Sequence, residues 1–177
     1  MTTERRGNNE RRSVGERRND TQRRDVQERR AGSKAAPRQP KKSSLAPPAF
    51  EAIHPKGVFD LSAFAPLSAA VKTGNLVFVS GVPAYDAKGG LAVGDFAAQM
   101  TQVLSNVSAI LAAAGCDWSH VVKANVLLTR REDFAQMNRL YAAHFPAGHY
   151  PARTTAIVYS LPHPDFLIEI ECVASLN

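Results

Sequence analysis

The chain predicts an α+β fold, a mixed sheet with two helices on one face, and three observations carry that reading. Two segments, near residues 95–114 and 132–145, repeat apolar side chains at helical spacing. Runs of β-favouring residues near 75–81, 121–129, 153–159 and 166–174 read as strands. Each helix carries a single apolar stripe, so one sheet can cover both.

The first strong element is Asn75-Leu76-Val77-Phe78-Val79-Ser80-Gly81, an apolar strand closed by glycine. Gly89-Gly90, following Asp86 and Lys88, predicts a hairpin turn. From Asp95 the apolar positions fall at Phe96, Met100, Val103, Leu104, Val107, Ile110, Leu111 and Ala114, with Asp95 as N-cap and Gly115 as the stop. The next strand, Val121 to Thr129, places Val122, Ala124, Val126 and Leu128 on one face. A second helix over 132–145 buries Phe134, Met137, Leu140 or Tyr141, and Phe145, and Pro146 ends it. Arg153 to Tyr159 and Phe166 to Ala174 are the last strands, joined by Leu161-Pro162-His163-Pro164. The sheet face away from the helices is expected to carry Val77, Val79 and Ile168 or Ile170, and to need burial by oligomerisation.

Charge divides the 177 residues into two parts, a tail and linker over 1–48 and a domain over 49–177. Residues 1–50 hold 14 Lys/Arg against 6 Asp/Glu, an excess of +8, whereas 51–177 carry −2. The first 42 residues contain no Leu, Ile or aromatic, and an acidic-or-Gln-Arg-Arg triplet recurs every six residues from Glu4 to Arg30. Such a segment cannot bury enough surface to offset its ordering entropy, so it is expected to be disordered. An arginine-rich arm can hold nucleic acid weakly by counterion release, or act only as a solubilising extension. No apolar leader or membrane-length segment occurs, which predicts a soluble, cytoplasmic protein with no membrane partner. Cys116 and Cys172 read as free thiols, Cys172 packed on the apolar side of the last strand.

The five histidines show no zinc-like spacing, and no P-loop, G-x-S-x-G elbow or dinucleotide-binding glycine motif occurs. Nothing in the sequence asks for a metal, nucleotide or flavin. Two features remain. Arg153 is a lone guanidinium opening an uncharged segment, costly to bury unless it meets an anion. Glu169 and Glu171 alternate with Ile168, Ile170 and Cys172, so the carboxylates share one face of the last strand. If the two strands lie close, they make a cation-plus-carboxylate site for a small acidic substrate; otherwise they are a solvated sheet edge.

Phe78-Val79-Ser80-Gly81, Lys123 to Thr129, Asp133-Phe134 with Asn138 and Tyr141, Pro151-Ala152-Arg153 and Ile168-Glu169-Ile170-Glu171 together resemble the Rid (YjgF) family of enamine/imine deaminases. The resemblance runs over roughly residues 61–175 in order and spacing. It implies a chorismate-mutase-like fold, a homotrimer with sites in clefts between subunits, and cofactor-free hydrolysis of 2-enamine or 2-imino acids to 2-keto acids and ammonia. By the same resemblance Arg153 binds the substrate carboxylate and Glu169 positions or activates water. Ser80 and Gly81 present main-chain groups to substrate, and Asn138 lines the cleft; Thr155 occupies the position two after the arginine. Two departures bear on substrate preference. Leu67 in Ala65-Pro66-Leu67-Ser68 stands where the family has a tyrosine, and the Ser-Gly-Gln-Ile-Pro loop is shortened to Ser80-Gly81-Val82-Pro83. The family has also been described as endoribonucleases or translation inhibitors, which implies an RNA-associated alternative, and a non-catalytic keto-acid sensor is a third.

Overall fold

The structure, a computed structural model, describes residues 49–176. The tail and its repeats lie outside the described residues. Six strands form one sheet: β1 (Glu51–Ile53), β2 (Ala70–Thr73), β3 (Leu76–Val82), β4 (Val121–Leu128), β5 (Ala152–Ile157) and β6 (Ile168–Ser175). Their order across the sheet is β1-β2-β3-β6-β4-β5, antiparallel throughout except for the parallel pair β4–β5. Helices α1 (Phe96–Ala113) and α2 (Phe134–Ala142) complete the α+β architecture. No helix among the described residues is long and apolar enough to cross a membrane.

Helix α1 follows its sequence signals closely. The Asp95 carboxylate accepts from the Ala98 amide at 3.0 Å, satisfying one of the orphan donors of the first turn. At the other end Gly115 takes φ 85, and the amides of Gly115 and Cys116 donate to the Ala112 and Leu111 carbonyls. That is a Schellman closure, which needs a left-handed residue and so selects glycine. Met100, Val103, Val107 and Leu111 are fully buried against the sheet.

Helix α2 is shorter than its pattern suggests. A 3₁₀ turn over Arg131–Asp133 precedes it, and it ends at Ala142. Pro146 disfavours helical geometry at Phe145, so the last residues leave the helix early. Met137, Tyr141 and Phe145 are buried as expected, but Phe134, the first residue of the helix, is 44% exposed.

Three further expectations are corrected. Val77, Val79, Ile168 and Ile170 do not face outward; they are buried, at 5% exposure or less, in one core with α1. The outer face instead carries Phe78, Lys123, Asn125, Leu127, Glu169, Glu171 and Val173, as the register of β3, β4 and β6 requires. Val122 is 49% exposed, because a bulge between Val121 and Lys123 turns Val121 inward in its place. Gly89-Gly90 does form a turn, with Asp86 accepting from both Lys88 and Gly90 amides, yet no strand follows it. Residues 83–95 are therefore a loop rather than a hairpin. The hairpin is instead β2–β3, closed at Gly74-Asn75 with Gly74 at φ 58.

Candidate functional site

Arg153 lies on the edge strand β5, paired in register with Ala124 of β4, on the sheet face that α2 covers. Helical spacing puts Met137, Asn138 and Tyr141 on one face of α2, and all three meet the guanidinium. Nη2 donates to Asn138 Oδ1 at 2.5 Å, Nη1 to Met137 Sδ at 3.6 Å, and the guanidinium carbon sits 4.9 Å from the Tyr141 ring centroid. Among the described residues no carboxylate pairs with Arg153. The cation is held by a neutral amide, a thioether and a ring face, none of which cancels its charge. In front of it lies an open hollow of about 420 Å³, lined by Asn138, Tyr141, Ala142, Tyr150, Pro151 and Arg153.

Two hydroxyls near this helix–strand contact have no partner. Thr155 Oγ1, two residues along β5 from Arg153, and Tyr141 Oη are both buried without a hydrogen bond. Leaving a buried hydroxyl unmatched costs roughly 1–3 kcal/mol. Burial also pushes the Tyr141 phenol up to about 12, against the opposing pull of Arg153.

The second group of candidate residues gathers elsewhere. β3 bulges between Val79 and Val82, so Ser80 and Gly81 together oppose a single step of β6. Glu169 packs against this bulge: a Cβ placed on Gly81 would stand 2.8 Å from Glu169 Cδ and collide with its carboxylate. Only glycine lets the carboxylate approach the backbone so closely. Burial raises the pKa of Glu169, and the neighbouring Glu171 adds to the rise. Leu67 joins Ser80 and Gly81 at a cavity of about 120 Å³. Ser80 itself is committed to the fold, its amide to the Ala69 carbonyl at 3.0 Å and its hydroxyl to the Ser68 carbonyl at 2.7 Å. Glu171 is exposed and accepts from Asn125 Nδ2.

Arg153 and Glu169 do not meet within one chain. Arg153 pairs with Ala124 on the helix side, whereas Glu169 pairs with Leu127 on the outer side, and β4 lies between their strands. The expected single cation-plus-carboxylate cluster is thus two half-sites: Arg153, Asn138 and Thr155 on one face, and Leu67, Ser80, Gly81 and Glu169 around the β3 bulge. Strand alternation showed which residues share a face within β5 or within β6, but not how the faces of two strands relate. Met137 and Tyr141 as supports of Arg153 were not assigned from sequence, although their i, i+1, i+4 spacing with Asn138 was there to be used. Cys172 is buried, its thiol pushed up to about 12 by desolvation, and has a packing role. Among the described residues no three His, Cys, Asp or Glu side chains cluster as metal ligands would.

An antiparallel-rich sheet with two helices on one side, an arginine anchored on its edge strand and a glutamate seated on a β-bulge define the class of small α+β protein to which this chain belongs. The family model described as endoribonuclease L-PSP matches residues 59–176, and the chain belongs to this family, the Rid/YjgF proteins. It is 44% identical over 116 residues to the chloroplastic Reactive Intermediate Deaminase A of Arabidopsis thaliana, covering 65% of this chain and 61% of that one. It is 40% identical over 114 residues to the 2-iminobutanoate/2-iminopropanoate deaminase of Bos taurus, covering 64% and 82%. The crystal structure of RidA from the Antarctic bacterium Psychrobacter sp. superposes with a TM-score of 0.65 at 36% identity, covering 71% of this chain and 98% of that one.

Proposed function

We propose that this chain hydrolyses 2-enamine and 2-imino acids to 2-keto acids and ammonia. The observation that carries the reading is the guanidinium of Arg153, anchored on three neutral groups and facing an open hollow, with no carboxylate partner among the described residues. Such a group is ready for the paired oxygens of a small organic carboxylate, which its forked donors can grip in two places. Names of relatives at 40–44% identity point to the same chemistry.

Glu169 supplies the second requirement. An iminium carbon is already electrophilic, so the catalyst needs to hold the substrate, orient water and move protons. Water adds to the C=N carbon to give a carbinolamine, and that intermediate expels ammonia as the C=O bond forms. A carboxylate with a raised pKa can take a proton from the attacking water and return it to the leaving nitrogen. Because Arg153 and Glu169 occupy opposite faces of one sheet, we assign each complete site to two copies of the chain, Arg153 from one and Glu169 from its neighbour. A trimer closes three such sites by symmetry.

The test is keto-acid release when an amino-acid oxidase generates imines in the presence of semicarbazide as a competing trap. The protein should accelerate release, and Arg153→Ala should abolish the acceleration; a fully active variant would refute the assignment. Binding of keto acids without any turnover would mark a sensor instead.

A further inference from the structure

The cavity beside the β3 bulge takes no part in holding the carboxylate or moving protons. It holds about 120 Å³ and includes Ser80 and Gly81 in its wall, next to the backbone that Glu169 touches. Val58, Phe59, Leu67, Val82, Tyr85 and Ile110 give it an apolar lining, while the polar His54, Asp60 and Ser62 that also border it are solvent-exposed, with Asp60 accepting from the Ser62 amide. Its main polar side chains are committed to the fold. Asn106 Nδ2 donates to the Pro83 and Tyr85 carbonyls at 3.1 and 2.8 Å, and its Oδ1 accepts from Gln102. The Ser80 hydroxyl donates to the Ser68 carbonyl. An occupant would therefore find mainly hydrocarbon and ring surface, with the polar groups of His54, Asp60 and Ser62 on the solvent-exposed side. At about 120 Å³ the cavity is smaller than the engineered apolar cavities of about 150 Å³ that hold benzene, so its volume suits a branched aliphatic group, and a phenyl ring would extend from it toward solvent.

We infer that this cavity is a side-chain subsite, selecting imino and keto acids with bulky apolar side chains over those with a methyl or ethyl group. The inference rests on the imine-hydrolysis reading for the orientation of the ligand, carboxylate toward Arg153 and side chain toward Gly81. Phe59 helps to build the subsite: its ring stacks on Phe64 at 5.7 Å and tilts against Tyr85 at 5.0 Å, so the loop before β2 closes the cavity with a packed aromatic cluster. Tyr85 in turn meets Phe166 edge-on at 5.0 Å, which holds the cavity wall to the segment leading into β6. A wall packed in this way is pre-formed rather than induced by ligand.

The experiment compares binding of pyruvate, 2-oxobutanoate, 4-methyl-2-oxopentanoate and phenylpyruvate to the full chain by calorimetry and thermal shift. The two bulky acids should bind at least about tenfold more tightly than pyruvate, the discrimination that one or two buried methylene groups supply. Val58→Phe, which fills the cavity from the loop side, should collapse the bulky-to-small ratio toward one. Val58→Ala, which enlarges it, should shift preference further toward phenylpyruvate, so a folding failure of the first variant leaves the second to decide. Equal affinities for all four acids, no binding of any of them, or a ratio unmoved by either variant would overturn the subsite. Arg153→Ala separates the two readings: if it binds the bulky acids as well as the parent chain does, the carboxylate role of Arg153 falls while the cavity preference stands.

Discussion

Arg153 shows how a charged side chain can be buried at one end and still be available at the other. The Tyr141 ring and Asn138 amide fix the orientation of the guanidinium, and neither competes with an anion for its charge. A cation–π contact of this kind contributes about 0.5–2 kcal/mol. Tyr141→Leu should therefore raise KM for imino acids roughly 2- to 30-fold with a smaller change in kcat, measured by steady-state keto-acid release. Tyr141→Phe keeps the ring, removes an unmatched hydroxyl and should leave KM close to that of the parent. Glu169 offers a stability test with a definite sign. Its folded pKa is raised above the ordinary value of 4.5, so the folded state disfavours the ionised form. The resulting penalty is absent below the ordinary value and grows as pH rises through the folded one. Glu169→Gln should accordingly raise Tm at pH 7–8, with the gain shrinking toward pH 4, while activity falls. A Tm difference that is flat with pH would count against the desolvated carboxylate.

At the scale of elements, the attachment of α1 to the strand that carries Glu169 depends on one glutamine. Gln99 is fully buried; its Nε2 donates to the Ala92 and Asp165 carbonyls at 3.0 and 2.8 Å, and its Oε1 accepts from the Leu167 amide at 2.9 Å. The three bonds tie the helix to the segment entering β6, two residues before Glu169. Gln99→Leu has nearly the same volume but strands three backbone groups, each costing roughly 1–3 kcal/mol if left unmatched. Chemical denaturation should show a loss of about 3 kcal/mol or more. Removing the Asp95 cap by Asp95→Ala, in contrast, should cost only about 1 kcal/mol, because water can reach the exposed first turn.

For the whole molecule, the proposed function together with the placement of Arg153 and Glu169 on opposite faces of the sheet implies that activity belongs to an assembly rather than to one chain. A mixture of Arg153→Ala and Glu169→Ala chains, each inactive alone, should recover activity when unfolded and refolded together. If every site draws its arginine and its glutamate from different copies, random mixing restores roughly a quarter of the sites. No recovery in mixed assemblies of verified composition would place both groups in one chain's own site and contradict the shared-site geometry. The outer sheet face adds a reason to assemble, since Phe78 is 41% exposed there beside Val173.

Much of this molecule was legible from local pattern. The helix α1, with Asp95 opening it and Gly115 closing it, follows from propensity and capping, which act within a few residues. The alternation of Glu169 and Glu171 with Ile168 and Ile170 follows from the two-residue repeat of a strand, and the buried set in β6 agrees. Local pattern could not say which strand lies beside which, where a bulge reverses the alternation, or which face α2 covers. Val122 pointing outward, Phe134 exposed and Gln99 in the core are all set by neighbours distant in sequence. The separation of Arg153 from Glu169 is of the same kind: each strand announces its own two faces, but only the insertion of β4 between β5 and β6, with α2 over one side, determines that the guanidinium and the carboxylate look away from each other.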